Sequence, residues 1–165
     1  MEKPKIKNLK ELKANGYESK SIKNELSDNL SELIKSGKPS FPNIHGYENT
    51  VIPDLERAIL SKHNINFLGL RGQAKTRLAR MMVKLLDEWV PIIKGSEIND
   101  DPLSPISSLG KKIIQEDGDD TKVDWMHRSE RFYEKLATPD VTVSDLIGDI
   151  DPIKAASLKL SYADE

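Results

Sequence analysis

Three features of this 165-residue chain predict an α/β fold. An apolar, strand-like run at 65–68 leads through a glycine-bearing loop into Lys75 and Thr76, which open a helix. After them Leu78, Met81, Met82, Leu85, Leu86 and Trp89 recur at steps of three and four, the spacing of one helical face. A second strand-like run at 123–128 follows a long, acidic and irregular stretch.

Composition narrows what such a fold can do. The net charge is −2, charged residues make up 32% and aromatics 5%. No global field therefore draws the chain to nucleic acid or to an anionic membrane. Without cysteine there is no disulfide and no cysteine–zinc site. No apolar run approaches the roughly 18 residues that span a bilayer. The opening Met-Glu-Lys-Pro-Lys has no apolar core behind it, so a secretory signal is not expected and the cytoplasm is the expected compartment.

Taken in order, residues 1–17 are lysine-rich and without clear period, and Asn15-Gly16 marks a turn. A helix is expected from Glu18 to about Lys35, with Ile22, Leu26, Leu30, Leu33 and Ile34 on one face, stopped by Gly37 and Pro39. Residues 1–39 thus read as an N-terminal helical extension and residues 40–165 as the main domain. The extension's surplus of lysine over acid reads as a solvated helical face rather than an arm for nucleic acid. Thr50 is placed to cap a helix bearing Pro53 in its first turn, with Ile52, Leu55, Ile59 and Leu60 inward. The helix opened by Lys75 is expected to run to Trp89 and end at Pro91. Residues 95–124 read as an acidic insert with a short helix at 108–116; its carboxylates lack the order of a calcium loop. His127, Arg128 and Arg131 are candidates to meet an anion. His45, His63 and His127 form no ligand pair at helical spacing.

The chemistry lies in the loop. The phosphate-binding order is G-x-x-x-x-G-K-[ST], and Gly69, Lys75 and Thr76 fit it. Ala74 stands where the second glycine belongs, and Gly72 lies within. In such a loop successive backbone N–H groups form a concavity for an anion, and the helix that follows aims its free N–H groups and positive dipole end at the same point. The candidate nucleotide-binding residues are Gly69, Leu70, Arg71, Gly72, Gln73, Ala74, Lys75, Thr76 and Arg77. Lys75, the candidate catalytic residue, would reach the β- and γ-phosphates of ATP, and the Thr76 hydroxyl would ligate Mg²⁺. A negative φ at Ala74 is harmless; a positive one costs about 1 kcal/mol or more. A plain strand–turn–helix connection, with no ligand, is the competing reading.

The runs Gly69-Leu-Arg-Gly-Gln-Ala-Lys-Thr-Arg, Leu86-Asp-Glu-Trp, Gly95-Ser-Glu-Ile-Asn-Asp-Asp-Pro, and Ala137-Thr-Pro-Asp through Asp-Pro-Ile-Lys154 together resemble the N-terminal part of an AAA+ ATPase of the MoxR and magnesium-chelatase-subunit-I-like group. The resemblance covers roughly 40–155. It implies a P-loop nucleoside-triphosphatase three-layer core, incomplete in this chain, with ATP and Mg²⁺ as cofactors. It places Ile44, His45 and Gly46 near the adenine, and 137–151 toward the substrate side of a ring, usually a hexamer. It implies a role in remodelling a protein or in metal insertion. No apolar strand ending in Asp-Glu follows Thr76, and no sensor residue, arginine finger or helical lid is found. A P-loop module that binds partners without hydrolysing ATP is therefore the alternative.

Overall fold

The computed structural model describes residues 2–136 and 138–149, with Ile153 and Ala156. The chain up to Phe132 forms one compact unit and the chain from Tyr133 onward a second. In the first unit the elements run α1 (Leu9–Ala14), α2 (Ile22–Lys35), α3 (Val51–Leu60), α4 (Lys75–Met82), β1 (Trp89–Ile93), α5 (Ser108–Asp117) and β2 (Val123–His127). The second unit contains α6 (Ser144–Ile147). Asp151, Pro152 and most of the helical stretch expected after them lie outside the described residues, as does Ala137.

Helix α2 starts where Ser21 accepts a hydrogen bond from the Asn24 amide, and its inward face carries Leu30. Thr50 precedes α3 as expected but makes no side-chain cap bond. Leu30, Phe41, Ile44, Leu55, Ile59, Leu78 and Leu85 form the larger core cluster, so α2, α3 and α4 share one apolar interior. The helices of the 1–39 segment pack inside this same compact unit. A smaller cluster joins Leu9 and Leu12 of α1 to Val123 of β2.

Among the described residues the sheet is two-stranded and antiparallel, with Trp89 opposite His127 and Ile93 opposite Val123. Helix α4 is shorter than its apolar spacing predicts. It ends at Met82, a single 3₁₀ turn covers Val83–Leu85, and Trp89 begins a strand instead of closing the helix. Distant polar groups explain the change. The Glu25 carboxylate accepts the Asp87 amide at 2.6 Å, and the Arg128 guanidinium donates to the carbonyls of Lys84 and Leu86 at 2.9 and 3.2 Å. Those bonds take up backbone groups that another helical turn would use.

Pro91 sits in the middle of β1 at no cost to the ladder. Ile93, two residues on and in the same phase, turns its N–H away from β2 to the Asp100 carbonyl at 2.9 Å. The missing N–H of Pro91 therefore falls on the side not paired with β2.

Residues 65–68 carry no regular secondary structure and bond to no neighbouring strand among the described residues. Ile65 and Phe67 pack against the larger core, while Leu68 is 86% exposed.

Candidate phosphate-binding loop

The loop is held in place from three sides. Leu78, 1% exposed, anchors α4 in the core. Ile65 and Phe67 anchor the entering strand-like segment. Tyr47 donates from its hydroxyl to the Gln73 carbonyl at 3.4 Å and packs on the same core, so the segment carrying Ile44, His45 and Gly46 is brought up to the loop. Ile44 itself is buried among core side chains, while His45 is exposed and Gly46 takes a positive φ. The hollow that Ile44 and His45 line does not include residues 71–77, which line a separate concavity of about 490 Å³.

Inside the loop two side chains stitch backbone to backbone. Gly69 has φ +152°, and a Cβ there would lie 2.2 Å from the Gln73 Oε1 atom. That oxygen accepts the Leu70 amide at 2.9 Å. Lys75 folds back from the helix mouth, and its ammonium donates to the Gly69 carbonyl at 2.8 Å and to the Leu70 carbonyl. The lysine therefore lies as a crossbar under the loop, half-buried, with its charge held at the loop's entry strand. Gly72 turns with φ +82° over open space, the conformation that glycine makes cheap. Ala74 has φ +54° and ψ +15°, left-handed for a residue with a Cβ. Of the two outcomes foreseen for Ala74, the costly one is realised, at about 1–2 kcal/mol.

Residues 71 and 72 form a hydrogen-bonded turn closed on Gln73, and the backbone N–H groups of residues 74–77, at the start of α4, donate to no protein acceptor among the described residues. Arg71, Lys75 and Arg77 line the same concavity, and none of its lining residues is a carboxylate. Arg71 and Arg77 have no hydrogen bond or ion pair to the described residues. Such a surface offers dipoles and charge of one sign, which suits a phosphate chain. It does not suit a resident magnesium ion: the Thr76 hydroxyl is exposed and sits among three cations. A hard dication prefers several oxygen ligands, commonly with one or two carboxylates. No group of three His, Cys, Asp or Glu converges among the described residues.

The basic residues expected near an anion on the far strand are engaged within the protein. Arg131 grips both Glu25 oxygens at 2.6 Å, Arg128 holds the α4–β1 carbonyls, and His127 Nδ1 lies 2.7 Å from the Ser129 hydroxyl. Tyr47 escaped the sequence reading because nothing in its neighbourhood marks it as a loop contact. The Glu25–Arg131 pair escaped it because its partners stand 106 positions apart.

No known protein family, curated protein or solved structure matches the chain. Among the described residues no helix is long and apolar enough to cross a membrane.

Proposed function

We propose that this chain binds ATP through residues 69–77, as the nucleotide-binding part of an AAA+-type remodelling ATPase that works as a ring of copies. In this reading 65–68 is the strand that precedes the phosphate loop of an α/β core. One observation carries it: the free amides of residues 74–77 open a helix in a concavity lined by Lys75 and by two unpaired arginines, with no carboxylate. A phosphate chain bound there would draw the Lys75 ammonium off the Gly69 and Leu70 carbonyls and onto its own oxygens. Ile44, His45 and Gly46 would contact the base from the segment that Tyr47 holds against the loop.

Calorimetric titration of the chain with ATP tests this. A charge-assisted phosphate contact is worth about 1.5–3 kcal/mol, so Lys75→Ala should weaken binding roughly 10- to 150-fold. Equal affinity in the variant would defeat the assignment.

A second reading, a P-loop module that binds partners and does not hydrolyse ATP, is favoured by the charge of the site. No carboxylate lines the concavity to orient an attacking water or to hold a metal. ATP turnover by the purified chain above a Lys75→Ala control would eliminate it.

A further inference from the structure

We propose that the loop takes a polyphosphate without a divalent cation, Arg71 and Arg77 supplying the charge that magnesium supplies elsewhere. The inference rests on the nucleotide-binding reading above and adds the ionic form of the ligand.

The argument begins with the charge that a bound triphosphate must meet. Phosphate oxygens brought into one concavity repel one another, and a site must neutralise them with metal ions, with cationic side chains or with both. This concavity is made by residues 71–77 alone, and three of those seven are cations. Lys75 already has partners: its ammonium is bound to the Gly69 and Leu70 carbonyls. Arg71 and Arg77 are exposed and have no partner among the described residues. They stand at the two ends of the segment that lines the concavity, one before Gly72 and one in the first turn of α4. A guanidinium carries a planar fork of donors that matches a phosphate's oxygens two at a time, and it stays ionised at any physiological pH. Two such groups flanking one run of amides can clasp a phosphate chain from both sides.

The metal has a weaker claim. Its one candidate protein ligand here is the Thr76 hydroxyl, between Lys75 and Arg77 in sequence, with Arg71 also lining the site. A dication held there would feel three positive charges and no carboxylate. Chelation by Mg²⁺ also lowers the negative charge of the nucleotide, which reduces its attraction to the two arginines.

The test compares inorganic tripolyphosphate and ATP as titrants of the intact chain, in excess Mg²⁺ and in excess EDTA at matched ionic strength. The expected result is affinity in EDTA equal to or greater than that in Mg²⁺ for both titrants. Arg71→Ala combined with Arg77→Ala should weaken EDTA binding at least tenfold, with circular dichroism and thermal midpoint unchanged. Magnesium-dependent tightening of more than tenfold in the unaltered chain would overturn the proposal while leaving nucleotide binding intact. Unaltered EDTA affinity in the double variant would overturn it too. Absence of binding for both titrants in both buffers would overturn the nucleotide reading itself, and this inference with it.

Discussion

The loop at 69–77 and the junction around Asp100 use similar groups in opposite directions. At the junction, backbone amides and hydroxyls converge on one buried carboxylate. Asp100 is 4% exposed and accepts from the amides of Ile106 and Ser107 at 2.7 and 2.9 Å and from the hydroxyls of Ser96 and Ser107 at 2.6 and 2.5 Å. Gly110 lets that carboxylate sit close to α5, since a Cβ there would lie 2.6 Å from Asp100 Oδ2. At the loop the amides that open α4 meet no carboxylate, and none lines the concavity. One cluster supplies its own anion and stabilises the fold. The other has no anion of its own, and its spare donors are what the phosphate proposal rests on.

That contrast can be broken or sharpened by substitution. The largest effect is expected at the other fully satisfied cluster, the buried pair of Glu25 and Arg131, whose side chains are 4% and 11% exposed. Arg131→Ala leaves a carboxylate buried and unpaired, at a cost of about 3–5 kcal/mol in urea unfolding. A loss under 1 kcal/mol would show that water reaches Glu25 once the arginine is gone.

Asp100→Asn should cost about 2–3 kcal/mol, because an amide offers one accepting oxygen to four donors and sets its own N–H groups against theirs. Burial acts to raise the Asp100 carboxyl, but the Ser107 and Ser96 hydroxyls and the Ser107 and Ile106 amides outweigh it and bring it from 3.8 to about 2. The folded state thus holds this proton more weakly than the unfolded chain does. The resulting stability is complete above about pH 4 and is lost as pH falls through about 2. Unfolding measured across that window should show a decline in the native chain that Asp100→Asn flattens.

Lys75→Ala should behave in the reverse sense: a thermal midpoint within a degree or two of the native one, together with the loss of ATP affinity given above. A large drop in midpoint would mean that the crossbar to Gly69 and Leu70 is chiefly structural. The smallest effect belongs to Ala74→Gly. Relief of the left-handed strain should stabilise the chain by up to about 1 kcal/mol in the same unfolding assay, and it supplies the glycine that the loop order lacks.

Some of this architecture was legible in the residues. Helices α2 and α3 fall where apolar spacing places them, and α5 and β2 close to the ranges read from the residues, because local pattern sets most of their faces. Helix α1 was not legible. Its six residues hold two core leucines, and their burial depends on Val123, which is far away in sequence. Strand β1 was misread as helix because Leu85, Leu86 and Trp89 continue the spacing of Leu78, Met81 and Met82. What ends α4 is the grip of Glu25 and Arg128 on its trailing backbone, and no local pattern encodes that. In the loop, Gly69, Lys75 and Thr76 could be read as a group from spacing alone. The sign of φ at Ala74 and the support from Tyr47 could not, because both depend on packing.

The tie between Glu25 and Arg131 bears on how the chain is made. A ribosome releasing the protein from its N-terminus exposes α2 long before the arginine that neutralises its inward carboxylate. Over the same interval the Leu9 amide and the Lys7 carbonyl lack their backbone partners, Thr121 and Val123. Newly made chains should therefore stay open to protease until the segment through Arg131 has emerged, and then close in one step.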